Sequence, residues 1–246
     1  MTNITQKTES YRFSMPLLAG QRALLKYDVS GGSKVKVFKD ASGSYRLDFE
    51  SENIAPYSIQ EIQVSWSLSN SDSAQVPVSK LLANNSQAER FIESDNLQVL
   101  NLATRLNKNG DLQNVQKIYN WVSENIKRAD YSGKIYGAVW ALKNYRGDCT
   151  EQALLFVALA RALGVPSRVM GGYIMERSGR VFAKDFHNWA EAYVQGKWII
   201  IDPYYGVFDD GYEKYIATQV LDFSSPDADN RRFWIKGGKG LKVTMQ

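Results

Sequence analysis

Cysteine and histidine are each present once in the 246 residues. A single cysteine excludes an internal disulfide and any multi-cysteine metal site. No acidic loop has the ligand spacing of a calcium site, and neither a metal nor a cofactor is expected. No run of about 18 apolar residues, the length of a membrane-spanning helix, is present, so no membrane association is expected. Met1 to Ser14 lacks the apolar segment of a secretory signal, and a lone thiol is easiest to keep reduced in a cytosol. A cytoplasmic location is therefore expected, with export of a processed form as the alternative. The net charge of +4 has no dense basic stripe with interleaved aromatics behind it, which argues against a nucleic-acid partner.

What is present is an ordinary globular composition, 44% hydrophobic and 23% charged, with 6 Trp and 14 Tyr for a core or a cleft. The length accommodates a catalytic domain with a smaller companion. From Tyr11 to about Asn70 the apolar period is near two, as in Lys34-Val-Lys-Val-Phe-Lys39 and Ile62, Val64, Trp66, Leu68. This predicts an antiparallel, β-rich region with one wet face, assigned to residues 1–75 as an accessory region. The period then lengthens. Asp95 or Asn96 caps a predicted helix carrying Leu97, Leu100 and Leu106 that stops near Gly110. Asp111 caps the next, with a stripe at Leu112, Val115, Ile118, Tyr119, Val122 and Ile126. An apolar run from Ala153 to Leu163 ends at Gly164, followed by strands over Arg168 to Met175, Phe186 to Val194 and Trp198 to Asp202. Gly171-Gly172 inside the first of these strands signals a bulge or a close backbone approach. Residues 76–246 are assigned to a second, catalytic domain.

Cys149 follows Arg146-Gly147-Asp148 and opens the apolar helix. A lone cysteine is commonly a small, inert, buried residue. At a helix N-terminus beside an imidazole, however, the thiolate is favoured, and the cysteine's own N–H can support an oxyanion. His187 on a strand and Asp202 at a strand end each have a plain packing explanation. Together with Cys149 they have the makings of nucleophile, base and orienter. Glu151 and Arg161, on an otherwise apolar helix, read as structural charges that need partners.

Gly196-Lys197 suits a two-residue type II′ turn, with glycine first. That register sets Gln195 opposite Trp198 and Asp202 opposite Glu191, on the same face as His187; a three-residue loop would reverse the face. His187 nevertheless stands four positions from Glu191, ~13 Å along an ideal strand, a gap that twist or a bulge must close.

Several stretches resemble the core motif of transglutaminase-like proteins. They are Gly147-Asp-Cys149-Thr-Glu-Gln-Ala153, Ala160-Arg161-Ala-Leu-Gly-Val-Pro166-Ser-Arg168-Val with Gly171-Gly-Tyr173, His187-Asn-Trp189-Ala-Glu191-Ala-Tyr193 and Trp198-Ile-Ile-Ile-Asp202-Pro203. The resemblance covers about Asp111 to Tyr205 and is looser from Val76 to Gly110. It implies an α+β, papain-like core, with a central nucleophile helix packed on an antiparallel sheet, beside the β-rich N-terminal region. It also implies a triad of Cys149 as nucleophile, His187 as base and acid, and Asp202 as orienter. Asn188 departs from the small residue usual after the histidine. An aromatic upstream of the cysteine often completes the oxyanion hole in this family, which makes Trp140, Tyr131 and Tyr145 candidates. Trp140 has an indole donor that suits the role. The activity implied is thiol-dependent acyl transfer at amide bonds of a peptide or protein, first as a cysteine protease or amidase. The alternatives are an acyltransferase with a primary amine acceptor, and a non-catalytic binding scaffold. The sequence leaves substrate identity and oligomeric state open.

Overall fold

A computed structural model describes residues 1–18, 22–31, 34–39, 44–72, 82, 85–224, 234–237, 240–242 and 244–245. The boundary expected at residue 75 lies outside the described residues. The elements in chain order are β1 (Thr2–Asn3), β2 (Glu9–Leu18), β3 (Arg22–Ser30), β4 (Val35–Lys39), β5 (Tyr45–Ile54), β6 (Gln63–Asp72), α1 (Leu97–Leu106), α2 (Asp111–Asn125), β7 (Lys127–Arg128), α3 (Ala138–Asn144), β8 (Arg146–Gly147), α4 (Cys149–Ala162), β9 (Ser167–Ile174), β10 (Phe186–Val194), β11 (Lys197–Asp202), β12 (Val207–Phe208), β13 (Tyr215–Leu221), β14 (Trp234–Gly237) and β15 (Leu241–Lys242). The α+β class and the central helix on an antiparallel sheet are as expected.

The N-terminal strands form a four-stranded sheet in the order β14-β2-β5-β4 and a separate β3-β6 pair. Alternation sets the packing, with Leu47 and Phe49 of β5 buried among Phe13, Met15, Val35, Val37 and Trp66. Two strands of this region come from the other end of the chain, because β14 pairs with β2 and β15 with β1.

Helix α4 is the centre of the larger body. Asp148 caps it by accepting from the Thr150 N–H at 2.8 Å, and Glu151 returns the favour to the Asp148 N–H at 3.4 Å. Every residue from Thr150 to Arg161 is buried. A helix buried all round is apolar all round, which is why this segment shows a run rather than a stripe. Strands β9 and β10 cover one side, and α1, α2 and α3 the others. The charged Arg161 survives inside because it meets Glu89 at 2.6 Å and donates to the carbonyls of Gln87 and Ser167.

Two helical expectations shift. In α1 the buried residues are Val99, Leu102, Ala103 and Leu106, while Leu97 is 75% exposed. The i, i+3, i+4, i+7 stripe decides the face, and leucines at 97 and 100 fall off it. Helix α1 also ends at Leu106; Gly110, with φ 129°, is the cap of α2, and Asp111 is its first helical residue.

The larger sheet runs β12-β11-β10-β9-β13, antiparallel throughout. Ala190, Ala192, Val194, Ile199 and Ile201 belong to the core around α4, whereas Trp189, Ile200, Met170, Tyr215 and Ala217 form a second cluster. Gly172 approaches the Ile216 carbonyl too closely for any Cβ, and the bulge lies on β13 opposite the glycine pair, between Ala217 and Gln219.

The β10–β11 turn corrects the predicted register. Val194 pairs with Lys197, so Gln195-Gly196 are the loop residues, with φ of 52° and 84°. Both positive angles make a type I′ turn, glycine second, which matches the twist of the flanking strands better than the expected Gly196-Lys197 loop. The ladder runs to Ala190–Ile201, and the next pair sets Asp202 opposite Trp189 rather than Glu191.

Candidate active site

This register brings His187 within two positions of the residue opposite Asp202, on the same face, a diagonal of ~7 Å between Cα atoms that side chains can bridge. The imidazole Nε2 lies 2.8 Å from Asp202 Oδ2, both side chains being buried. Asp202 has two further donors: the Tyr215 hydroxyl at 2.7 Å on the same Oδ2, and the Tyr205 N–H at 3.1 Å on Oδ1. A carboxylate with three such partners is held in one orientation.

Burial disfavours the imidazolium of His187. Hydrogen bonding and charge from Asp202 and Cys149 outweigh this and raise its pKa to about 9. With Nε2 committed to Asp202, Nδ1 is the ring nitrogen left for the hydrogen bond with Cys149. The ring stacks at 14° on Trp189 and packs 4.6 Å from the Tyr205 ring centroid, which fixes its plane. Asn188, the departure noted above, is buried and donates from Nδ2 to Thr150 Oγ1 at 2.8 Å. It ties the histidine strand to the first turn of α4, one residue beyond Cys149.

Cys149 is half-buried at the first position of α4. Thr150 donates to the Asp148 side chain and Gln152 to the Asp148 carbonyl, so the first turn is fixed around the thiol. Glu151 sits beneath it. Its carboxylate accepts from the Tyr136 N–H at 3.1 Å as well as from Asp148 N–H. Burial, and then a hydrogen bond with Asp148, raise its pKa to about 7. It thus joins the turn at Cys149 to the loop before α3.

The three aromatic candidates have other neighbours. Trp140 stacks on Tyr136 at 4.5 Å within α3 and its approach. Tyr145 ends α3 in the left-handed region with its ring towards Trp121, and Tyr131 is 64% exposed. None of the three joins the hydrogen-bond network around Asp202. Sequence reasoning missed Tyr215, because β13 falls in a stretch with no clear period. The signal available was the β-prone Tyr-Ile-Ala-Thr-Gln-Val-Leu run after the Asp209-Asp210-Gly211 turn.

A helix-borne cysteine beside a histidine–aspartate pair on an antiparallel sheet is the arrangement of the papain-like α+β fold. Residues 100–203 match the family model of the Transglutaminase-like superfamily, so the chain carries a transglutaminase-like domain over that span, with Cys149, His187 and Asp202 inside it. Among solved structures, a proposed cysteine protease from Cytophaga hutchinsonii is similar over 98% of this chain and 89% of its own, with TM-score 0.65 and 19% identity. The periplasmic domain of TgpA from Pseudomonas aeruginosa is similar over 83% of this chain and 72% of its own, with TM-score 0.46 and 16% identity. No curated protein matches the sequence. No helix among the described residues is long and apolar enough to cross a membrane.

Proposed function

We propose that the chain is a thiol-dependent acyl-transfer enzyme acting on amide bonds of peptides or proteins, in the first instance a cysteine protease or amidase. Residues 76–246 are the catalytic domain and 1–75 the accessory region in this reading. The observation that carries it is the 2.8 Å contact of His187 Nε2 with Asp202, which leaves Nδ1 for the thiol at the start of α4. The Cys149 sulfur attacks the amide carbonyl as thiolate. The tetrahedral oxygen meets the Cys149 N–H at the positive end of α4, with a second donor from among Trp140, Tyr131 and Tyr145. As the C–N bond breaks, Nδ1–H gives its proton to the leaving amine, and a thioester remains. Nδ1 then takes a proton from water, which attacks the thioester and releases the acid. Asp202 keeps the ring oriented through both steps and stabilises it whenever it carries the second proton.

The test is mass spectrometry of a glutamine-containing peptide mixture incubated with the protein, with and without a labelled primary amine. Cleavage or deamidation that disappears in Cys149→Ala is the expected result. Amine incorporation without cleavage would replace hydrolysis by transamidation. No product with either acceptor, and Cys149 alkylated by iodoacetamide no faster than a free thiol, would leave only a binding scaffold.

A further inference from the structure

Beside the candidate nucleophile lies a group of cations that the acyl-transfer steps do not use. Strands β7 and β8 form a short parallel ladder in which Lys127 pairs with Arg146 and Arg128 with Gly147, closed by the Ala129 N–H on the Gly147 carbonyl at 3.0 Å. Gly147 is two residues before Cys149. Lys127, Arg128 and Arg146 are all exposed. Among the described residues, none of them forms an ion pair with a carboxylate.

The ladder also separates the three. Neighbours in register project to the same side, so Lys127 and Arg146 share one face and Arg128 shares the other with Gly147, which contributes no side chain. On that face the Arg128 guanidinium lies 5.0 Å over the Tyr204 ring, whose centroid is 5.7 Å from that of His187. Burial, then the charge of Cys149, raises the pKa of the Tyr204 hydroxyl, and Arg128 opposes the shift, so thiol and guanidinium act on the same hydroxyl. An arginine laid on an aromatic face keeps the edge donors of its planar fork free, in the geometry that a carboxylate accepts.

We propose that Arg128, laid on Tyr204, forms an anion subsite beside Cys149 that selects acyl donors carrying a carboxylate close to the amide attacked. This rests on Cys149 as the nucleophile. Lys127 and Arg146, on the reverse face, add to the local potential without touching the bound group.

The probe pair is iodoacetate and iodoacetamide, which differ by one negative charge next to the same reacting carbon. The reading is the ratio of their second-order rates at Cys149, at fixed pH in 0.15 M salt. Arg128→Gln is expected to lower the iodoacetate to iodoacetamide ratio by about fivefold, the scale of one partly screened charge at close range. Arg128→Lys, which keeps the charge, is expected to retain most of the ratio. Lys127→Gln, which removes the same net charge from the other face, is expected to change it by less than about twofold. An unchanged ratio in Arg128→Gln, or an equal fall in Lys127→Gln, overturns the subsite. Failure of the catalytic reading has a different signature: iodoacetamide itself would alkylate wild type and His187→Ala at the same rate.

Discussion

Tyr215 and His187 share one oxygen of Asp202, the phenol at 2.7 Å and the imidazole Nε2 at 2.8 Å. The tyrosine therefore stands to the aspartate as the aspartate stands to the histidine, holding it in place. Tyr215→Phe removes that donor and leaves the histidine contact. Cys149 alkylation by iodoacetamide at pH 7 is expected to slow by about three- to thirtyfold, a part of the roughly 1.5–3 kcal/mol of one hydrogen bond to a charged group. An unchanged rate would mean that Tyr205 alone orients the carboxylate.

In the proposed mechanism, the raised pKa of His187 gives activity an upper pH limit. Protonated, the ring donates from Nδ1; as pH rises through about 9 the donor is lost and the rate is expected to fall. The sign for stability is the same. A folded-state pKa above the unfolded ~6.5 gives stabilisation that is complete below ~6.5 and is lost as pH rises towards about 9. The span is on the order of 3 kcal/mol. Urea unfolding of wild type and His187→Ala at pH 6 and pH 9.5 measures it, and a difference between the two proteins that does not vary with pH would contradict it.

Glu151 acts in the same direction over a lower range. With its pKa raised to about 7, it stabilises fully below the unfolded carboxylate value of ~4.3, and this stabilisation is lost as pH rises through about 7. Glu151→Gln is expected to flatten the fall in unfolding free energy between pH 5 and pH 8. The carboxylate also anchors the Tyr136 N–H. Faster hydrogen exchange at that amide in the variant would report the lost acceptor.

The Gln195-Gly196 turn offers a stability test remote from the site. Gln195 has a φ of 52°, a left-handed conformation that costs a residue with a Cβ about 1 kcal/mol. Gln195→Gly is expected to raise stability by a few tenths to about 1 kcal/mol in urea unfolding, net of the entropy glycine adds to the unfolded chain. A fall would place the native turn elsewhere.

That same turn shows how far the sequence could be read. Two-residue loops were legible from the single glycine and the β-prone flanks, but Gln195-Gly196 and Gly196-Lys197 fit those cues almost equally. The choice depends on strand twist, which the local sequence does not encode. Moving the loop by one residue kept the face shared by His187 and Asp202 and halved the offset along the strand, so the apparent gap between them vanished. Helix α4 was legible because a capped apolar run between a Gly-Asp entry and a glycine exit has few alternatives. The face of α1 was not, because the leucines at 97 and 100 draw attention from Val99 and Ala103, and only contact with α4 decides between them. Tyr215 and Arg128 could not be found from motifs at all. Their meaning comes from β13 beside β9 and β7 beside β8, pairings between distant parts of the chain.

The pairing of β14 with β2 and of β15 with β1 sets an order of events during synthesis. On the ribosome, the first strands emerge well before their partners. β2 has β5 available early, but its other edge stays open until the residues near 234–242 leave the exit tunnel. The transglutaminase-like span is translated within that interval, so the region made first is the last to be completed.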